Sequence, residues 1–365
     1  MSLASGGSTG LKHKIDQYRE RRAARIAARF DEEPDSWITV NGNHIPLDEN
    51  GRAIGGQPKA LGKKMSVEEA DNVIRNYNMN VTEYNQTIRS LKSDIEELEF
   101  DLKFIDEEFD WYTEEEKKSR IEEINRELSN NKKELDSVEQ KYNEYREAVF
   151  TKFPSYDDCK SSDDVSMRTE AVLNGKGKIG LKECDVESAR MVGKSVEDYC
   201  NKVPELRDNI RAIVSVDMDG SFYGAADGWR TVQLNSKYFK NFNYLRKKYK
   251  NCTDCGYHPE GTTEKAIVYH ELSHVLEYFA DEKRERGKYF SSIIFDKVSK
   301  NLGLNVDECL SAVSDYAKSP KGHGRYSEWF AEAYAEYLSS DSPRKVAKEV
   351  GKVVDQELRK RGIRK

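Results

Sequence analysis

The residues best suited to chemistry gather in one stretch of the 365-residue chain, AIVYHELSHVLEYFADEK, residues 266 to 283. His270 and His274 stand four apart, with Glu271 directly after the first. Four residues of helix advance about 6 Å and return to the same face, so two imidazoles there can converge on one ion with a carboxylate alongside. Neutral imidazoles suit zinc. Two of them leave room for a third ligand and a water whose pKa would fall towards about 7. Glu271 is then positioned to take that water's proton and hand it to a leaving amine. The chain holds 6 histidines, so an HExxH pattern would arise by chance in on the order of one such sequence in a hundred. The plainer alternative, a core helix with incidental histidines, must leave both imidazoles on the side shared by Ile267 and Glu277.

A third ligand decides between these. The metzincin pattern requires glycine at 277 and histidine at 280, but the chain has Glu277 and Ala280. A carboxylate remains. In YSEWFAEAYAEYL, Glu328, Glu332 and Glu336 recur every four residues on one helical face, flanked by Trp329, Phe330 and Tyr334. Burying such a face without a partner is costly, and zinc with its histidines is a natural partner.

HELSH, then VSDYA, then SEWFAEAYAEY resembles the gluzincin-type metallopeptidase domain of anthrax lethal factor-like proteins and of bacteriophage minor head (head-morphogenesis) proteins. The resemblance covers approximately residues 200 to 340. It implies a zincin-like fold, a Zn2+ cofactor and a phage- or prophage-encoded endopeptidase acting on a peptide or protein substrate. It also implies roles for residues: Glu328 as the third ligand, and Glu332 orienting a ligand histidine through a hydrogen bond. A tyrosine ahead of this helix would hydrogen-bond the oxyanion, and Tyr316 is the best match. The segment KSPKGHGRY lengthens the usual spacing to Glu328 and leaves His323 and Tyr326 as competitors. The strand WRTVQLN is similar to the family's edge strand above the cleft, which would pair with an extended peptide; its alternative is an ordinary internal strand.

CTDCGYH offers Cys252, Cys255 and His258 for a second zinc, with Cys309 as the obvious fourth ligand. A CxxC without a second pair is weak evidence, because structural zinc takes four protein ligands.

The elements that must position these groups read as an α+β domain behind a helical arm. Apolar residues step by four and three from Tyr84 to Phe109 and again from Ile121 to Val149, a heptad seam that predicts an antiparallel coiled-coil hairpin. Ser66 with Glu69, and Thr113 with Glu116, form capping-box patterns at the start of each arm, with a tight break at DWYT. Asn131 occupies a seam position between Leu128 and Leu135, suited to pinning register or to facing water. Residues 11 to 30 read as a basic helix, able to lie on a phosphate surface or an acidic partner or to remain a solvated arm. WITVNGNHIPLDENGRAIGG reads as short strands or a hairpin, with His44 structural or solvent-facing. Beyond Pro154, a helix is expected over 195 to 210, strands at IRAIVSVDM, SFYGAAD and WRTVQLN, and helices to the end. The boundaries are residues 1–64 for the basic helix and β/linker segment, 65–152 for the coiled coil, 153–345 for the zincin-like domain, and 346–365 for a helical tail.

The net charge of -6 and pI near 5.8 argue against nucleic acid as a partner. No apolar run of membrane-spanning length and no secretory leader are evident, so the expectation is a bacterial cytoplasm or a phage virion. The 6 cysteines are spread too thinly for a disulfide scaffold. Two other readings differ in class: a phage head assembly protein that contacts capsid or portal proteins without cleaving them, self-associating through the coiled coil, and a metallopeptidase toxin or effector.

Overall fold

The computed structural model describes residues 36–40, 43–47, 65–108, 113–283, 289–318 and 324–364. The basic helix expected over 11 to 30, the residues 109–112 of the arm's tip, and His323 lie outside them. The chain divides into two compact units, Met1–Lys64 and Met65–Lys365. In the first, β1 (Ser36–Val40) and β2 (Asn43–Leu47) form an antiparallel pair in which Val40 faces Asn43. Asn41 and Gly42 separate the two strands, the dipeptide that most favours a two-residue hairpin.

The second unit is of the α+β class, with one main core. It begins with α1 (Val67–Asn76), α2 (Val81–Glu108) and α3 (Glu114–Lys152). The first arm was expected as one helix from Ser66. It breaks instead at residues 77–80, because Asn80 starts a new helix: its Oδ1 accepts the backbone N–H groups of Thr82 and Glu83 at 2.9 and 3.0 Å, and Glu83 Oε2 accepts that of Asn80 at 3.0 Å. The caps at Ser66 and Thr113 form as the sequence indicates. Helices α2 and α3 run antiparallel. Glu99 pairs with Lys132 and, seven residues earlier in α2 and seven later in α3, Lys92 pairs with Glu139. Two small apolar clusters line their contact, Leu98, Ile105 and Ile124 in one and Tyr84, Ile88 and Tyr142 in the other. Asn131 is half-buried. The arm is tied to the main body where Asn85 Nδ2 donates to the Gly175 carbonyl at 2.7 Å and Arg146 Nε to that of Ala171 at 2.9 Å.

After α4 (Ser162–Val172) comes β3 (Lys178–Gly180), then α5 (Val186–Lys202). The helix expected over 195 to 210 thus begins earlier, where Asp185 accepts the Ser188 N–H at 2.7 Å, and ends before Pro204, which disfavours helical geometry in the residue preceding it. Strands β4 (Ala212–Val216), β5 (Gly224–Ala226) and β6 (Thr231–Asn235) complete a sheet of order β3-β4-β6-β5. Strands β3, β4 and β6 are parallel, and β5 is antiparallel to β6 at the edge. WRTVQLN is therefore an internal strand, since both of its sides are already hydrogen-bonded; the edge beside it is the short β5.

Helices α6 (Phe242–Asp254), α7 (Lys265–Glu282), α8 (Phe290–Leu302), α9 (Arg325–Ser339) and α10 (Lys345–Lys360) build the rest. Helix α7 is buried nearly all round and sits at the centre, packed on α5, α9 and the β5 side of the sheet. Helix α10, expected as a tail, is part of the core: Val350, Val353, Val354 and Leu358 are fully buried. We predict that Leu358→Ala lowers the unfolding free energy by about 2–5 kcal/mol in urea denaturation; a change within about 0.5 kcal/mol would mean that the helix is dispensable.

Candidate metal centre

Helices α7 and α9 cross so that the HExxH face meets the glutamate face. Tyr199 of α5 anchors α7 from behind: its hydroxyl lies 3.3 Å from Ser273 Oγ, and Tyr269 donates to Asp198 at 2.8 Å. Trp329 and Phe330 anchor α9 on the opposite side, both fully buried, with the Trp329 indole N–H donating to the Cys309 carbonyl at 3.0 Å. Apolar packing of both helices thus leaves only their polar faces opposed.

Three atoms converge between them. Nε2 of His270 lies 3.1 Å from Nε2 of His274, and Glu328 Oε2 lies 3.1 Å from the first and 3.6 Å from the second. Four ligands around tetrahedral zinc at about 2.0–2.1 Å stand about 3.3 Å apart, so this triangle has the dimensions of three corners of such a site. This group could hold a metal ion. Glu328 is 2% exposed, and its Oε2 has no aligned hydrogen-bond donor despite these short contacts. Among the described residues this is the one cluster of three or more His, Cys, Asp or Glu suited to a metal ion. Cys252, Cys255, His258 and Cys309 form no such group, and all the cysteines are free thiols.

The back of each imidazole is held as well. His274 Nδ1 lies 3.2 Å from Ser327 Oγ, which donates onward to Glu277 Oε2 at 2.5 Å. His270 Nδ1 lies 3.0 Å from Glu332 Oε1, a close contact without full hydrogen-bond alignment. In the neutral imidazoles, a proton on each Nδ1 would leave both Nε2 lone pairs facing Glu328. Glu332 also accepts from Ser314 Oγ at 3.1 Å and from His258 Nδ1 at 3.2 Å. The third glutamate, Glu336, is not part of the centre: Arg344 binds its two oxygens at 2.9 and 2.6 Å. Sequence reasoning missed Ser327, Glu277 and Ser314, and read His258 as a cysteine partner. Glu277, three residues beyond His274 on one helical face, carried a signal that spacing could have revealed.

Charges follow from this packing. Burial alone would lower the His270 pKa, but the close carboxylates of Glu328 and Glu332 outweigh it and drive it well up. Burial is likewise outweighed at His274, raised to about 9 by Glu277 and Glu328. Glu328 moves oppositely, its burial overcome by the two imidazoles, and falls well below the usual carboxylate range. Glu332 falls to about 2 as His258 and His270 override burial. Glu271 is different: burial dominates and raises it, so that it could accept a proton more readily than an exposed carboxylate.

Glu271 lines an aromatic-walled cavity with His270, Tyr249, His258 and Tyr316. The cavity passes beneath β5 at Gly224, where a Cβ would come within 3.2 Å of Glu271 Oε1 and 2.9 Å of the Gln233 carbonyl. Tyr316 belongs to this cavity, its ring 6.1 Å from that of His270. Burial and Glu328 keep its phenol protonated by raising its pKa, so it presents an O–H donor. Tyr326 instead packs on Phe295 at 4.4 Å and lines a separate cavity with Glu277 and Ser327.

Comparison with protein-family models, with curated proteins and with solved structures gave no match to this chain.

A histidine with a pKa higher in the fold than in the unfolded chain stabilises the fold below the unfolded value and ceases to do so above the folded one. Without metal, stability is therefore expected to decline between pH 6.5 and about 9 as His274 loses its proton. Calorimetry in buffers of differing ionisation enthalpy should show about two protons released on zinc binding near neutrality. Flat stability across that window, together with no proton release, would contradict this charge distribution.

Proposed function

We propose that the chain is a zinc-dependent endopeptidase with a zincin-like fold on a coiled-coil arm, His270, His274 and Glu328 holding the ion. The observation that carries this reading is the triangle of His270 Nε2, His274 Nε2 and Glu328 Oε2, brought together from helices more than fifty residues apart in sequence, at 3.1 to 3.6 Å. Bound zinc would supply Lewis-acid polarisation of a peptide carbonyl and a more acidic water.

The chain's own groups supply the rest. Glu271 follows His270 on α7 and faces the cavity, so its raised carboxylate can take a proton from the attacking water and return it to the leaving amine. Tyr316 offers its O–H to the oxygen on which negative charge develops. Gly224 keeps β5 close over Glu271 without a side chain that would displace the carboxylate. The resemblance to lethal factor-like and phage minor head domains extends this reading to a phage or prophage origin. The arm favours attachment to a larger assembly, because it contributes paired helices and exposed charge but no candidate catalytic group. Among the described residues no helix is long and apolar enough to cross a membrane.

The test is cleavage by zinc-loaded protein of capsid, portal or host proteins, read as new termini. Glu271→Gln should retain one zinc yet lose cleavage by a factor on the order of 10²–10⁴. Glu328→Ala should lose the metal, and Tyr316→Phe should keep it while cleavage falls about 10²–10³-fold. Full cleavage by Glu271→Gln would exclude this mechanism. Stoichiometric zinc with no new termini in any of these proteins would favour the assembly role.

A further inference from the structure

His258 is a histidine of the CTDCGYH loop that no step above uses. It is 9% exposed. Its ring stacks on Tyr249 with centroids 5.1 Å apart and planes 13° from parallel, and its Nε2 is buried with no hydrogen-bond partner. Tyr257 and Tyr316 also pack near the ring, with centroids 5.1 and 5.9 Å away. On the other side Nδ1 faces both oxygens of Glu332, at 3.2 and 3.3 Å. An imidazole nitrogen against a carboxylate carries the proton, so the tautomer is Nδ1–H.

Oxygen Oε1 of Glu332 is shared, since it also faces His270 Nδ1 at 3.0 Å. Two imidazoles therefore converge on one carboxylate, and only one of them belongs to the metal triangle. The loop has a second link to the site. Asp315 N–H donates to the Gly256 carbonyl at 3.0 Å and Tyr316 N–H to the Tyr257 carbonyl at 3.1 Å, joining the segment that carries Tyr316 to the one that carries His258. Ser314, between these elements, gives Glu332 its further donor at 3.1 Å.

We infer that His258 is a positioning residue of the metal centre: its Nδ1–H fixes the Glu332 carboxylate, and Glu332 in turn sets the His270 ring with Nε2 towards the metal. The proposal rests on the metal-centre reading above. Carboxylates and their partners behind ligand histidines affect metal affinity about 10- to 100-fold, and His258 acts one residue further out. Its donor, not its bulk, is the functional part.

The test uses the full chain, with zinc affinity measured by competition against a chromophoric chelator and the ligand field by the visible spectrum of the cobalt-substituted protein. His258→Phe, which keeps a stacking ring on Tyr249 but has no donor, should weaken zinc about tenfold or more and alter the cobalt spectrum. His258→Asn, whose amide can place an N–H where Nδ1 stood, should stay close to the wild type. Equal loss in both variants, or wild-type affinity in His258→Phe, overturns the proposal. Should His258→Phe fail to fold, side-chain 15N NMR of the zinc-loaded wild type decides: a proton on His258 Nδ1 supports it, and a proton on Nε2 alone overturns it. A wild-type chain that binds no zinc would sink the metal-centre reading itself, an outcome distinct from either variant result.

Discussion

The structure turns on the burial of like charges that only a shared cation or proton can reconcile. Helix α9 carries Glu328, Glu332 and Glu336 on one face, each at most 4% exposed, through the apolar centre of the molecule. Desolvating three carboxylates in a row is prohibitive unless each finds a partner. The fold provides three different ones. Glu328 meets two imidazoles, Glu332 meets two imidazoles and a serine, and Glu336 meets the planar fork of Arg344. Everything that packs α7 against α9 serves to keep those partners aligned.

The division of labour among the glutamates follows from what already occupies their oxygens. Glu332 faces several nearby donors and is held ionised by them, which leaves it little freedom to approach an ion. Glu328 has an oxygen shut away from water with no aligned donor. Glu271 belongs to the HExxH motif, and burial outweighs the nearby imidazoles in governing its proton affinity. Three carboxylates within a small volume thus have three distinct electrostatic characters, and the difference arises from neighbours rather than from residue type.

Much of this was legible from spacing. The four-residue repeats of histidine and glutamate placed both faces correctly, because helical geometry converts sequence interval directly into side-chain direction. Capping boxes at Ser66 and Thr113 were equally legible, being local. What sequence could not provide was contact between segments distant in the chain. His258 was read beside its cysteine neighbours, whereas its ring turns towards Glu332 on α9. Strand β6 was compared to an edge, yet its place in the sheet depends on β5, a strand of three residues too short to announce itself. The break at residues 77–80 was missed because the capping box at Ser66 reads as the start of an arm whose heptad seam begins only at Tyr84.

The Arg344–Glu336 pair links three segments of the fold. Arg344 stands at the threshold of α10 and also donates to the Val313 carbonyl, just before the segment that bears Tyr316. Glu336 lies eight residues along α9 from Glu328, about 12 Å of rigid helix. The guanidinium thus holds the start of α10, the far end of the glutamate face of α9 and the segment leading to Tyr316 in one frame, so that the C-terminal helix is braced against the same elements that carry the site.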